Sequence, residues 1–173
     1  MKKYLLVVIM VLSCISVCVA DSTPAVSLKN GIIFKKEFVD LGDVDNIEFK
    51  AVIITDQYNR VTAKGLNITV PSFNGHSATV WLEVSDVEDF LKAIDYMIFE
   101  SKGWDKKPLT NYTEVHFSVK DFFEMSFFSK ETSKVKFDDL KLLVTARNST
   151  KITEISQLEK MKPLITKALA ILK

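Results

Sequence analysis

The sequence predicts an α+β fold of two ββββα units, each an antiparallel sheet backed by one C-terminal amphipathic helix. Three observations carry this expectation. Apolar residues alternate with period two through most of the chain, the pattern of half-buried strands. At Ser85 and again at Ser156 the period lengthens to that of a helix. The junction itself recurs, as LEVSDVEDF at 82–90 and TEISQLEKM at 153–161. The first unit is expected over 31–103 and the second over 111–173, joined by a connector at 104–110 and packed as one domain. Whether the two units arose by duplication or converged on one good strand-to-helix joint stays open at this level.

In GIIFKKEFVDLG, Ile32, Phe34 and Phe38 share one parity, and in NIEFKAVIITD so do Ile47, Phe49, Ala51 and Ile53. Between them LGDVDN carries the Gly and Asp chemistry of a turn. NRVTAKGLNITV reads as a third strand whose apolar parity changes near Gly65, which predicts a bulge there. Asn74-Gly75 is a tight-turn signal, and His76 follows it as a turn residue. SATVWLEV forms a fourth strand with Ala78, Val80, Leu82 and Val84 on one face and Trp81 on the other. Val87, Phe90, Leu91, Ile94, Met97 and Ile98 then form a helical stripe. Ser85 and Glu88 have capping-box spacing, and Gly103 is a natural stop.

The second unit repeats the programme. Thr113, Val115, Phe117 and Val119 alternate, followed by Phe123, Met125 and Phe127. After the polar turn KETSK come Val135 and Phe137, then Leu140, Leu142, Val144 and Ala146, with a parity change at Asp138-Asp139. RNST turns the chain, KITEI is a short strand, and Leu158, Met161, Ile165, Ala168, Leu169 and Leu172 form the second stripe. Ser156 and Glu159 repeat the capping box, while Pro163 predicts a kink or break, because proline removes a hydrogen bond and clashes with the preceding turn.

Ahead of the units, residues 1–20 have the layout of a signal peptide and 21–30 form a polar lead-in. Lys2 and Lys3 precede an apolar run from Leu5 to Ala20, shorter than the roughly 18–20 apolar residues that span a bilayer. Cleavage after Ala20 is one reading, lipidation at Cys14 in a lipoprotein-like box a second, and an uncleaved anchor a third. All three imply export to the periplasm, cell surface or medium, and the membrane enters only through such an anchor. Both cysteines, Cys14 and Cys18, lie in this leader. Cleavage after Ala20 therefore leaves no disulfide, thiolate nucleophile or Cys-based zinc site.

The whole chain carries 23 basic and 22 acidic residues, and losing Lys2 and Lys3 turns the formal charge from +1 to −1. Arg60 and Arg147 are the sole arginines. Near-neutral charge and few arginines argue against a nucleic-acid partner. The chain has two histidines and five glycines, and it carries no Gly-x-Ser-x-Gly, Walker or Gly-x-Gly-x-x-Gly motif, so no cofactor is called for. Asp43, Asp45 and Asn46 lack the glycine and glutamate that an EF-hand loop requires. Asn67, Asn111 and Asn148 head glycosylation sequons that matter only in a eukaryotic secretory route.

The residues left for a ligand or partner surface are Trp81, Tyr112, Glu114 and His116. Trp81 sits opposite the aliphatic parity of its strand, with Tyr112 or Phe128 as candidate neighbours. Tyr112, Glu114 and His116 share the polar parity of theirs. The doubled ββββα order resembles, in topology, the whirly-type single-stranded-nucleic-acid-binding folds, and that resemblance implies curved antiparallel sheets backed by helices. No motif of those families occurs, so no residue role follows from it. The leader, the size and the closing strand-helix phrase resemble small exported bacterial proteins of unknown function. The expectation is therefore an exported, non-enzymatic protein that binds a protein or cell-envelope component. A hydrolase with carboxylates converging from distant strands and a single-stranded nucleic-acid binder are the alternatives.

Overall fold

The protein is represented by a computed structural model that describes residues 33–60, 62–72, 75–104, 111–120, 122–129 and 140–173. The leader with Cys14, the polar lead-in, Asn74, most of the connector, KETSK and Asp138-Asp139 lie outside the described residues. The elements run β1 (Phe34–Val44), β2 (Ile47–Asp56), β3 (Thr62–Pro71), β4 (Ser77–Glu83) and α1 (Val84–Trp104). They continue with β5 (Thr113–Val119), β6 (Phe123–Ser129), β7 (Lys141–Ala146), β8 (Ser149–Glu154) and α2 (Gln157–Leu172). Each set of four strands forms one antiparallel meander, β1-β2-β3-β4 and β5-β6-β7-β8. The ββββα order occurs twice, as the periodicity predicts.

A helix follows each sheet in the chain; α1 touches β3 and β4 of its own sheet and lays its aromatic side chains on the other one, while α2 crosses to the first sheet. Phe90 of α1 stacks on Phe117 at 5.7 Å and meets Phe123 edge-on at 5.1 Å, both in the second sheet. Trp104 of α1 lies 4.9 Å from Phe127, also in the second sheet. Among the strands, α2 instead packs chiefly on β1 and β2 of the first sheet. Three ion pairs then run along the helix pair: Glu88 with Lys173 at 2.8 Å, Asp95 with Lys162 at 2.6 Å, and Lys102 with Glu159 at 2.5 Å. Early α1 thus meets late α2, so the helices are antiparallel. The pairs are solvent-screened and set the direction of the helices more than their stability. One continuous core runs through both units, from Phe49 and Ile68 to Met125 and Leu142.

Several local expectations are corrected. No bulge occurs at Gly65, where the pairing runs in register with Val52 on one side and Glu83 on the other. The bulge lies in β1 between Asp40 and Gly42, with Gly42 at φ 117 and its N–H donating to Asp40 Oδ1 at 3.0 Å. The turn that follows is only Asp45 and Asn46, both at positive φ (51 and 65), the two-residue geometry that matches strand twist. Phe34 and Phe38 are exposed rather than buried, because they pair with Asp56 and Val52 on the outer face of the sheet, opposite the core row of Ala51, Leu66 and Leu82.

Neither capping box forms. Ser85 lies inside the first turn of α1, and Asp86 accepts the Glu83 N–H at 3.0 Å instead. Ser156 is the N-cap of α2 but makes no side-chain cap bond, and Glu159 pairs with Lys102. Helix α1 runs one residue past Gly103, and α2 runs unbroken through Pro163. Pro163 and Glu159 are both exposed, so the Glu159 carbonyl that Pro163 leaves without an N–H partner faces water.

Candidate functional site

The second sheet keeps one face outside the core. Cross-strand rows place His116, Ser126, Leu143 and Ile152 side by side, and next to them Ser118, Glu124, Thr145 and Thr150. Glu114 lies opposite Phe128. Tyr112, which leads into β5, sets its ring 6.0 Å from that of Phe128, and its hydroxyl donates to Glu114 Oε2 at 3.0 Å. This bond, followed by partial desolvation and the carboxylate charge, raises the phenol's pKa above its ordinary value. His116 Nε2 lies 3.8 Å from Glu124 Oε2, and both side chains are half exposed. Lys141 pairs with Glu154 across β7 and β8.

Exposure gives this face its character. Tyr112 is 54% exposed, Ile152 48% and Phe128 39%. Isolated apolar side chains are ordinary on a surface, whereas several on one rigid sheet face form a contact area. The sequence-derived Tyr112, Glu114 and His116 are brought together here. Leu143, Ile152 and Glu124 complete the face and were missed, because strand order and register decide which parities become neighbours.

Trp81 lies elsewhere, on the outer face of the first sheet, where it pairs with Asn67. Its indole crosses diagonally onto Gly65: a Cβ at Gly65 would stand 2.5 Å from Trp81 Cε2 and Cζ2, and 2.5 Å from the Leu82 carbonyl oxygen. Beside the ring is an open groove of about 340 Å³ lined by Ala63, Lys64, Trp81, Glu83, Val84 and Ser85. Trp81 Nε1 is buried without a hydrogen-bond partner among the described residues. At the groove's end, Lys120 binds Asp86 at 3.0 Å and Glu83 at 3.3 Å. The Asp86 bond, aided by Glu83, raises the lysine's pKa, and the cluster ties the β5–β6 turn to the start of α1.

A third surface had not been anticipated. Among the described residues β1 is an edge strand, and over Phe34–Asp40 all its side chains are exposed, with Phe38 at 57% and Val39 at 36%. Its alternation had read as a core pattern, and nothing local distinguishes the two.

Among the described residues, no group of three or more His, Cys, Asp or Glu side chains is placed to hold a metal, and no helix is long and apolar enough to cross a membrane. The carboxyl groups whose proton affinity is clearly displaced, Asp56 and Glu88, are both shifted down by their bonding partners. The Asn59 side chain and the Tyr58 N–H hold Asp56, and the Lys173 ammonium holds Glu88. A general acid needs the opposite displacement. The architecture is thus that of an α+β protein with two interlocked ββββα units. No protein-family model matches the chain, and no curated protein matches it either.

Proposed function

We propose that the chain is an exported, non-catalytic binding protein whose open second-sheet face receives a protein or another cell-envelope component. The observation that supports this is the strip of exposed Tyr112, Phe128 and Ile152 with half-buried Leu143 on one sheet face, bordered by Glu114, Glu124 and His116. Rigid aromatic anchors within a polar rim are the usual composition of a binding patch. Export rests on the leader's layout alone. No observation favours the hydrolase alternative, since the displaced carboxyl groups go down rather than up.

The test is a cross-linking capture from the native envelope with tagged protein, repeated with Tyr112→Ala/Phe128→Ala and with Ile152→Asp. Hot-spot aromatics carry about 1–2 kcal/mol or more each, so the double variant loses roughly tenfold or more in affinity for whatever the wild type retains. Capture that is indifferent to both variants, or turnover of an ester, glycoside or peptide panel, overturns the proposal.

A further inference from the structure

We infer that the free edge of β1 pairs with β1 of a second copy of this chain, making a two-fold symmetric dimer with a continuous eight-stranded sheet. Among the described residues β1 ends the order β1-β2-β3-β4 with no strand on its outer side, and Phe34–Asp40 are exposed. An exposed edge strand presents unpaired N–H and C=O groups and templates another strand. Natural edges are protected by charge, and β1 carries Lys35, Lys36, Glu37 and Asp40. The arrangement of those charges identifies the partner.

A two-fold axis normal to the sheet keeps each residue on its own face, so the axis passes through a residue paired with itself. Centred on Glu37, the pairing opposes glutamate to glutamate. Centred on Lys36, it opposes lysine to lysine. Centred on Phe38, it sets Lys36 against Asp40 twice, Phe38 against Phe38, and Glu37 against Val39. Only this last register within the exposed stretch is free of like-charge opposition and brings opposite charges together, and cross-strand pairs are what set register.

Two further observations agree. Among the described residues Lys36 makes no ion pair, and its ammonium rests 5.3 Å from the Phe34 ring centroid. Asp40 engages the Gly42 N–H through Oδ1 and lies opposite Lys50, but the Lys50 ammonium is bound to Glu48 at 2.8 Å, so Oδ2 can take an incoming ammonium. Lys35 is already committed to Glu37 at 2.8 Å on the opposite face, and the pairing leaves that bond intact. The bulge between Asp40 and Gly42 then bends the strand and ends the new ladder.

Sedimentation velocity on the protein as its host produces it, over about 1–100 µM, tests the inference. Wild type is expected to shift from monomer to dimer across that range. Lys36→Asp places like charges opposite each other twice and should raise the dissociation constant at least tenfold. Asp40→Asn keeps the acceptor for Gly42 and should raise it several-fold. Phe38→Asp should leave monomer throughout, with circular dichroism confirming the fold. If Phe38→Asp unfolds the chain, Lys36→Asp decides alone. A wild type that is monomeric at the highest concentration, or a dimer that Lys36→Asp leaves unchanged, overturns the inference.

Discussion

Replacing Gly65 with alanine tests the packing on the outer face of the first sheet. The added methyl carbon would stand 2.5 Å from two indole carbons of Trp81 and from the Leu82 carbonyl oxygen. Carbon atoms settle near 3.5–4.0 Å, so a gap of roughly 1 Å has to open. The two obstacles differ in how they yield. Trp81 can swing off the sheet, but Leu82 is held opposite Leu66 within the ladder, so its carbonyl moves only if the pairing opens. Over-packing of this kind costs about 1–3 kcal/mol, or a fall in Tm of roughly 3–10 °C for a domain of this size.

Two tryptophans make the outcome visible. Trp104 is 6% exposed and packed on Phe127, so it reports the core, while Trp81 reports the groove. Gly65→Ala should shift the emission to the red as Trp81 is displaced, with Trp104 still buried. On a Trp81→Ala background the indole contacts are gone and the Leu82 contact remains. The glycine substitution should then cost less, with a coupling of about 0.5 kcal/mol or more. Unchanged stability with unshifted emission would refute the reasoning, and strict additivity of the two substitutions would refute the contact.

Phe90→Ala removes a fully buried ring from between Phe117 and Phe123 and should cost about 3–5 kcal/mol in a denaturant titration. A cost below about 1 kcal/mol would contradict the placement of α1 on the second sheet. Asp56 caps the β2–β3 turn, accepting the Tyr58 N–H at 2.8 Å and the Asn59 amide at 2.8 Å, and these bonds lower its pKa. A depressed folded value means that the stabilisation is present above the unfolded pKa near 4 and is lost as pH falls through the folded one. Asp56→Asn should therefore lower Tm at pH 7, and the gap to wild type should close below about pH 4. A gap that persists unchanged in acid would show that the charge plays no part.

The sequence made the core-facing elements legible wherever a local period reports burial directly. Val87, Phe90, Ile94 and Met97 are buried as their helical spacing requires, and Leu142, Val144 and Ala146 as their alternation requires. Failures arose where the decisive neighbour was distant in the chain. Gly65 looks like a bulge because nothing near it shows that Trp81 needs the space. Phe34 and Phe38 look like core because alternation separates two faces without showing which one the rest of the chain covers. Ser85 and Ser156 have good capping spacing, yet tertiary ion pairs claimed Glu88 and Glu159. At the candidate site, parity grouped Tyr112, Glu114 and His116, but only strand register could add Leu143 and Ile152.

The exchange of helices explains why two similar units form one body. A ββββα segment whose helix packed back on its own sheet could close its core alone. Here α1 lays Phe90 and Trp104 on the second sheet, and α2 packs on β1 and β2 of the first. On the first sheet, β3 and β4 meet α1 and the second sheet's β7 and β8, whereas β1 and β2 are covered chiefly by α2, the last helix of the chain. The closing contacts join residues far apart in sequence, so loop-closure entropy must be met before burial compensates for it. The core cluster draws residues from both units, so each unit's burial depends on the other. Each helix turns one stripe inward, and α1 keeps Tyr96 and Phe99 on its outer side, 57% and 72% exposed. Among the described residues, the surfaces open to other molecules are thus the Tyr112–Phe128 sheet face, the β1 edge and this outer side of α1.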